Sequence, residues 1–444
     1  MSRALFLTSD FIAYIAIIFT TTTLRHLHLN YDLFLANIYA MLPFFPIFTL
    51  IFYIFSFYDF KRANSSERIN YSNLLNTVLI NVITAATILY FFAQPLGMVT
   101  PKTTLVAILV IYPAYIYFSR KLWFSSPLYK KRVIIFGKSK TIDEITELVK
   151  NSEIYTIADR QDVPDDKKEY DLQDIYCVLI SSKLFQENPS SWPVIAAKFI
   201  KKGALLKTDF SAYEDLFFRT PKEGLEDAIW LLRGVGEREE KRLYTVIKKF
   251  FDTVIALIML PVALPICAVI FLLILLIDKM PPFFRQERVG YMEAPVYIYK
   301  FRTMRPGTEN ITKLGEFLRR FRIDEFPQLI NILKGDISFV GPRPLWKKDC
   351  EPLNKSIPSH SVRSIVKPGL TGWAQLNYKA PPNYFTIEKN EDFNDSKILN
   401  DAIMRFSYDI WYIKNRSLSL DFEIMFKTAK RMFIKDKNVA NHNV

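Results

Sequence analysis

Four apolar runs fill most of the first 120 residues and restrict this part of the chain more than any other feature. They span residues 5–22, 33–58, 73–96 and 103–119. Each run approaches or reaches the roughly 17 to 25 residues that a helix needs to cross a bilayer. The pattern predicts a membrane protein whose residues 1–122 form an N-terminal bundle of four transmembrane helices.

Basic residues flank these runs unevenly. They precede the first run, separate the second from the third, and follow the fourth, at Arg3, Lys61, Arg62, Arg68, Arg120, Lys121, Lys130, Lys131 and Arg132. The positive-inside rule therefore places the N-terminus and everything after residue 120 in the cytoplasm. Asp10 is the one acid in the first run, and an intramembrane acid is a functional candidate. Because it lies near the helix end, we interpret it as a solvated or hydrogen-bonded structural residue.

The composition narrows the possible partners. Half of the 444 residues are hydrophobic, and the formal net charge is +13. No stripe of basic residues alternates with aromatic residues, so anionic lipids and phosphate-bearing ligands are expected rather than nucleic acid. Cys177, Cys267 and Cys350 have no paired spacing, which argues against a disulfide framework or a zinc site. With only four histidines in the chain, the metal to expect is Mg²⁺ held by carboxylates and phosphate.

Residues 131–233 have the pattern of a soluble α/β unit. Strands are predicted at residues 133–137, 175–181 and 204–207, and helices at residues 141–151 and 192–202. This order predicts a Rossmann-like middle domain. The turn Gly137-Lys138-Ser139-Lys140 lacks the second and third glycines of a dinucleotide-binding turn, so no NAD or flavin is expected. A regulatory or structural role is the prediction for this domain.

Residues 323–336 join two adjacent carboxylates, Asp324 and Glu325, to a short amphipathic helix that Gly335 can end. Pro327 falls in the first turn, where a missing N–H costs nothing, so the helix is predicted to begin near Asp324. Two interpretations of Asp324 follow. It is either a helix N-cap, a position that Asp favours, or part of a site at the positive end of a helix dipole, which suits an anion or a phosphate.

The same stretch continues to Pro344 and carries a long motif. Residues 324–344 read Asp-Glu-x-x-Gln-Leu-x-Asn-x-Leu-Lys-Gly-Asp-x-Ser-x-Val-Gly-Pro-Arg-Pro. This motif resembles the signature of the bacterial sugar transferases, the monotopic polyprenyl-phosphate glycosyl-1-phosphate transferases. The resemblance extends to the large members, of the undecaprenyl-phosphate galactose/glucose phosphotransferase type. It implies a C-terminal α/β monotopic catalytic domain over residues 246–434.

The resemblance also implies a reaction. A sugar-1-phosphate moves from a nucleotide diphosphate sugar, expected to be a UDP-hexose, to undecaprenyl phosphate. UMP is released, and assembly of a surface polysaccharide (O-antigen, capsule or exopolysaccharide) begins. Asp324 attacks the sugar-bearing phosphorus and holds a covalent phosphosugar. Mg²⁺, with Asp324 as a ligand, and basic side chains spread the developing charge. Glu325 is a metal ligand, a base or an orienting group, and the sequence leaves these three roles open.

Six basic residues in segments that resemble the family signature are candidate ligands for phosphate or lipid headgroups. They are Arg288, Lys300, Arg302, Arg319, Arg343 and Lys367. Taken alone, such residues would be read as a solvated surface. Lys367 stands where the family pattern has an arginine. A lysine there keeps the positive charge but cannot make the bidentate phosphate contact of an arginine, so the role of this position is open.

Another apolar run lies within residues 250–278, and Pro261 and Pro265 fall near its middle, where proline kinks a helix. A full fifth span would place the following domain outside the cell, where activated nucleotide sugars are absent. A re-entrant helix–break–helix would return that domain to the cytoplasmic face of the bacterial inner membrane. The resemblance implies the same topology, with the break at Pro265. A full span is the alternative.

Two other classes of protein stay open. One is a membrane-anchored, nucleotide-dependent sugar-modifying enzyme built on the middle domain. The missing glycines argue against it, and Tyr244 and Lys248, the downstream Tyr-x-x-x-Lys pair, lie outside that domain. The other is a non-catalytic assembly scaffold, against which the intact carboxylate motif argues. A middle domain without its own chemistry suggests self-association, so a homodimer is a possible assembly.

Overall fold

The computed structural model describes most of the chain. The described residues are 3–26, 31–54, 57–58, 71–90, 102–125, 131–152, 155–163, 175–187, 192–232, 238–308, 310–357, 359–378 and 396–433. The chain divides into two compact units, Met1–Phe217 and Phe218–Val444. The first unit holds the N-terminal apolar helices and a parallel sheet, and the second holds the Asp324–Glu325 pair.

Within the described residues, the N-terminal apolar runs form five helices. They are α1 (Arg3–His26), α2 (Tyr31–Met41), α3 (Phe44–Ile54), α4 (Tyr71–Ile88) and α5 (Lys102–Ser125). α1 and α5 are long and apolar enough to cross a membrane, whereas α2 and α3 pass that test only together and are bent by 47°. The run at residues 33–58, predicted as one of four membrane-crossing helices, is therefore a bent pair of helices, and its crossing of the membrane stays a prediction. The break falls at Pro43, whose ring and missing N–H disfavour a continuous helix. α4 is a shorter apolar helix than the third run predicted.

Asp10 is fully buried and ion-paired inside the first unit. Its carboxylate accepts hydrogen bonds from the Tyr58 hydroxyl and the Arg120 guanidinium, and Arg120 is fully buried as well. Arg120 also stacks over the ring of Phe6, 4.3 Å from its centroid. The structural interpretation of Asp10 is thus supported in its hydrogen-bonded form. Arg120, which the sequence counts among the flanking basic residues, is instead an internal partner that joins α5 to α1.

The middle of the chain forms a four-stranded parallel sheet in the order β2-β1-β3-β4. Its strands are β1 (Lys131–Phe136), β2 (Tyr155–Gln161), β3 (Ile175–Ile180) and β4 (Leu205–Thr208). The accompanying helices are α6 (Lys140–Lys150), α7 (Ser182–Glu187), α8 (Trp192–Lys201) and α9 (Asp209–Phe217). The predicted parallel α/β architecture is confirmed. β2 was not predicted, because this edge strand is only partly buried and carries Asp159 and Arg160 instead of an apolar run.

The turn after β1 is filled by a carboxylate. Asp209 is 1% exposed and accepts hydrogen bonds from Ser139 Oγ at 3.0 Å and from the Ser182 backbone N–H at 3.0 Å. Gly137, at φ +96°, has no room for a side chain, since a Cβ would lie 2.6 Å from Ser181 Cβ. A buried carboxylate uses donors that a pyrophosphate would need. This arrangement supports the prediction that the domain binds no NAD or flavin, which stays a prediction.

The second unit begins with three helices, α10 (Lys222–Glu226), α11 (Ala228–Leu232) and the long α12 (Arg238–Leu273). It continues through β5 (Phe283–Val289), β6 (Pro295–Phe301), α13 (Lys313–Arg320), α14 (Leu329–Lys334) and β7 (Ser338–Val340). It ends with α15 (Lys347–Ser356), β8 (Gly369–Thr371), α16 (Trp373–Asn377), α17 (Ser396–Asn415) and α18 (Leu418–Phe433). β5 and β6 form an antiparallel hairpin, and β7 pairs in parallel with β8. These short strands pack with α14 and α17 in one hydrophobic core.

α12 is continuous through both prolines. Pro261 and Pro265 lie inside the helix, which passes into a π-helical turn at Ile274–Asp278. The predicted interruption therefore does not take the form of a non-helical break. The apolar segment Arg242–Asp278 has 37 residues, about 55 Å as a straight helix, well beyond the roughly 30 Å of a hydrocarbon core. Re-entry to the same membrane face stays a prediction.

The first turns of α12 are fixed to the folded part of the second unit by buried polar contacts. Lys248 Nζ lies 2.5 Å from an oxygen of Asp421 on α18, and the Tyr244 hydroxyl donates to the same carboxylate at 2.6 Å. Asp252 accepts a hydrogen bond from Ser338 Oγ on β7 at 2.7 Å. Tyr244 and Lys248 thus make structural contacts to Asp421. This use of the pair argues further against a nucleotide-dependent sugar-modifying enzyme built on the middle domain.

Candidate active site

The acid pair lies in a short 3₁₀ turn, Ile323–Gln328, that leads directly into α14. Arg322, at φ 54°, occupies the N-cap position of this turn. Gly335, at φ 80°, ends α14 as predicted, because glycine tolerates the left-handed conformation. Asp324 is therefore not the N-cap: it lies inside the first turn of the helical segment. The cap interpretation of Asp324 is wrong, and its burial needs another explanation.

Asp324 is 9% exposed, and its surroundings make it an unusual acid. Burial, followed by the negative charge of Glu325, raises the pKa of Asp324 to about 6. The positive charges of Lys300 and Arg319 oppose this shift. At neutral pH the group is still mostly ionised, but it is poorly solvated. A poorly solvated carboxylate is more reactive toward an electrophile than one in water.

The surroundings of Glu325 favour its ionised form, in contrast to those of Asp324. Its Oε1 lies 3.5 Å from Lys300 Nζ, and its Oε2 lies 3.8 Å from a guanidinium nitrogen of Arg322. Burial alone would raise the pKa of Glu325, but Lys300, Arg343 and Arg322 outweigh it and lower that pKa. The two neighbouring carboxylates therefore differ. Glu325 is ion-paired and firmly ionised, whereas the ionised form of Asp324 is destabilised. Such a separation commonly marks different chemical roles.

Positive charge exceeds negative charge around this pair. Burial lowers the pKa values of Lys300 and Arg343. Burial together with the nearby Arg343 lowers the pKa of Arg288 to about 9. Arg288 also stacks over the Trp346 ring, 5.0 Å from its centroid. Burial thus destabilises these positive charges, and the two carboxylates offset the effect on Lys300 and Arg343 only in part. The site is therefore organised to receive an anion.

Arg319 belongs to the same site from a more exposed position. Its Nε donates to Thr303 Oγ1 at 2.8 Å, which orients the guanidinium, and its charge acts on Asp324. The structure thus brings four predicted basic residues together: Arg288, Lys300, Arg319 and Arg343. Sequence reasoning missed Arg322 in this role, although the basic run ahead of the acid pair was a signal for it.

Two predicted phosphate ligands lie elsewhere. Arg302 Nε donates to the Pro281 carbonyl at 3.0 Å, beside the start of β5. Lys367 lies near the other end of α14, where a Cβ on Gly335 would be 3.3 Å from Lys367 Nζ. Burial and the nearby Lys249 lower the pKa of Lys367. In the described contacts neither residue reaches the acid pair. A phosphate or lipid contact at these two positions stays a prediction.

The donor set fits a magnesium ion that is held mainly by its substrate. In the described parts of the chain, no group of three or more His, Cys, Asp or Glu side chains is placed to hold a metal. Mg²⁺ commonly binds through one or two carboxylates together with substrate phosphates. Of the acid pair, Glu325 is ion-paired with Lys300 and Arg322, whereas Asp324 makes no ion pair among the described residues. Asp324 is thus the fitting protein ligand.

Comparison with known proteins identifies the family of the domain that contains this site. The bacterial sugar transferase family model matches residues 243–435, from the first turns of α12 to just beyond α18. An uncharacterized sugar transferase from Bacillus subtilis, EpsL, is 35% identical over 201 residues, which cover 43% of this chain and 89% of EpsL. The chain belongs to the bacterial sugar transferase family. The sugar transferase domain therefore contains the acid pair, its basic residues and the long apolar helix.

Two larger relatives of this sugar transferase domain have informative names. A UDP-N-acetylgalactosamine-undecaprenyl-phosphate N-acetylgalactosaminephosphotransferase from Aeromonas hydrophila is 36% identical over 202 residues, covering 42% of this chain and 44% of the relative. A UDP-glucose:undecaprenyl-phosphate glucose-1-phosphate transferase from Escherichia coli is 35% identical, covering 43% of this chain and 40% of the relative. The match thus spans less than half the length of these two relatives.

Proposed function

We propose that this protein transfers a sugar-1-phosphate from a nucleotide diphosphate sugar to undecaprenyl phosphate. The observation that carries the proposal is a buried, destabilised carboxylate, Asp324, inside a site with excess positive charge. A nucleophile that attacks phosphorus must be anionic, and its substrate, a pyrophosphate, is anionic as well. The surrounding cations offset the repulsion between them. The names of the Aeromonas and Escherichia relatives support the same reaction class.

The proposed chemistry has two balanced steps. In the first, a carboxylate oxygen of Asp324 forms a bond to the phosphorus that bears the sugar, and the bond from that phosphorus to the nucleoside monophosphate breaks. In the second, an oxygen of the polyprenyl phosphate attacks the same phosphorus and releases the Asp324 carboxylate. Lys300, Arg319 and Arg343 hold the phosphoryl oxygens, and Glu325 orients Lys300 and Arg322. Magnesium, when bound through Asp324, neutralises charge on the pyrophosphate.

The names of the relatives suggest which donor and acceptor this protein uses. We infer a UDP-hexose as donor, UMP as the leaving product, and a role in starting a surface polysaccharide. We also infer that the catalytic unit acts at the cytoplasmic face of the bacterial inner membrane, where membrane lipids cover the apolar helices.

Self-association of the protein into a homodimer is a further proposal, and the mass of the purified particle in detergent tests it. Mass for a single chain at all concentrations would reject the dimer.

The central experiment measures the leaving product. Purified protein with UDP-glucose or UDP-N-acetylgalactosamine and undecaprenyl phosphate should release UMP. The rate should fall about tenfold per pH unit below pH 6, because protonated Asp324, with a pKa of about 6, is not nucleophilic. Release of UDP would indicate ordinary glycosyl transfer and reject the proposal. Loss of activity only below pH 4 would contradict the assignment of Asp324.

The topology is tested separately by labelling. Single cysteines introduced near residue 280, in a background without native cysteines, should react with a membrane-impermeant reagent only after cells are opened. A cysteine near residue 100 should react in intact cells and serves as the accessible control. Labelling near residue 280 in intact cells would establish a full fifth span and reject the re-entrant helix.

A further inference from the structure

The turn that carries Asp324 also buries an amide with an unused donor. Gln328 is 3% exposed, and its Nε2 has no hydrogen-bond partner among the described residues. Buried amide groups are nearly always hydrogen-bonded, so one that lacks a partner calls for a specific explanation.

The position of Gln328 associates it with the reacting carboxylate. The buried residues of the turn Ile323–Gln328 are Asp324, Pro327 and Gln328, so the acid and the amide, four residues apart, are both turned away from solvent. Glu325 belongs to the same turn but is not among these three. The next residue, Leu329, is 3% exposed and packs into the hydrophobic core. This packing holds the end of the turn in place and leaves Gln328 little freedom to reach solvent.

The charges near the acid pair limit what the amide N–H can bind. Lys300 on β6, Arg319 on α13 and Arg343 after β7 are donors only. Apart from Gln328 itself, the side-chain acceptors of the turn are the two carboxylates, and Glu325 is already engaged by Lys300 and Arg322. Since Asp324 itself does not accept from this N–H in the structure, the acceptor that fits is an oxygen that a substrate brings to Asp324.

We propose that Gln328 is a substrate-contacting residue that donates from Nε2 to a phosphoryl oxygen of the group held at Asp324. This inference rests on the proposed function and deepens it, because it adds a neutral donor to the cationic ligands of the transferred phosphosugar. The contact forms as the sugar-bearing phosphoryl group is placed beside Asp324, so it contributes both to donor binding and to the first transfer step. A neutral amide fixes the orientation of one oxygen without adding further charge to a site already rich in cations.

Gln328→Met tests the proposal, since methionine has a similar length and no donor. We expect Gln328→Met to weaken binding of UDP-glucose or UDP-N-acetylgalactosamine and to slow covalent labelling of the chain by radiolabelled donor about 10- to 100-fold. The unfolding temperature should be unchanged or higher, because an unpaired polar group has been removed from the interior. Gln328→Glu keeps one oxygen and removes the amide donor, so it should be slowed at least as much and provides a second variant if Gln328→Met does not fold.

Gln375 offers a matched control. Both of its side-chain amide atoms are buried without a hydrogen-bond partner among the described residues, but it lies on α16, outside the turn that carries the acid pair. Gln375→Met should therefore label at the wild-type rate. Wild-type labelling and affinity in Gln328→Met would overturn the proposal, as would equal losses in both variants that follow a lower unfolding temperature. A wild-type protein that binds donor but never becomes labelled would reject the covalent mechanism, while the comparison of affinities would still decide the role of Gln328.

Discussion

Replacing Asp324 with Asn is expected to reduce UMP release by about 10⁴-fold or more while the protein remains folded in the membrane. The amide has nearly the same shape but no anionic oxygen with which to attack phosphorus. Incubation of the wild-type protein with radiolabelled donor and no lipid should leave label on the chain, and Asp324→Asn should retain none. Glu325→Gln should still become labelled, more slowly, if Glu325 only orients its cationic neighbours.

The same substitution should increase stability at neutral pH. The pKa of Asp324 is about 6 in the folded protein, because burial and Glu325 disfavour its ionised form. Its charge therefore costs about 2 to 3 kcal/mol of folding free energy above pH 6. Well below pH 4 the group is protonated in both the folded and unfolded states, and the cost disappears. Thermal unfolding in detergent should show Asp324→Asn more stable than wild type at pH 7, with a gap that closes as the pH falls from 6 to 4.

An aspartate that does cap a helix in the second unit provides the control for Asp324→Asn. Asp227 Oδ1 accepts a hydrogen bond from the Trp230 backbone N–H at 2.9 Å, at the start of α11. Asp227→Asn should cost little, because Asn caps a helix about as well as Asp, and its turnover should match wild type. Near wild-type turnover in Asp324→Asn would instead show that Asp324 is not the nucleophile, and the covalent mechanism would be wrong.

Replacing Arg120 with Met is expected to destabilise the N-terminal unit by about 3 to 5 kcal/mol. Asp10 and Arg120 are both fully buried, and the Asp10 carboxylate accepts from Arg120 and Tyr58. Removing the guanidinium leaves a buried carboxylate without its counter-charge, which costs far more than a surface ion pair. Unfolding of the purified protein, followed by temperature or denaturant in a mild detergent, measures the loss.

The neighbouring residue and a double variant make this prediction specific. Lys121 is exposed, and Lys121→Met removes the same charge type with an expected effect within about 0.5 kcal/mol. The double variant Asp10→Asn with Arg120→Met removes both charges and should recover most of the stability. Equal stability of Arg120→Met and wild type would show that the ion pair does not hold α1 and α5 together.

The features that depend on a local pattern of residues could be predicted from the sequence. Continuous apolar runs predicted membrane helices, because lipid requires every backbone group to be paired within a helix. Short buried runs separated by helices predicted the parallel sheet, and Gly335 predicted the end of α14 because glycine alone adopts its φ without strain. The motif from Asp324 to Pro344 was sufficient to indicate the family.

Tertiary structure decided what depends on residues far apart in the chain. The pKa of Asp324 depends on how deeply the turn is packed and on Lys300, which β6 brings to it. The pairing of Arg120 with Asp10 joins residues 110 positions apart. That the buried amide of Gln328 has a donor without a partner among the described residues can be seen only when its surroundings are known. Lys367, grouped with the acid pair by sequence, lies instead beside Gly335. Charge interactions and burial are set by distance in space, which a local pattern of residues does not encode.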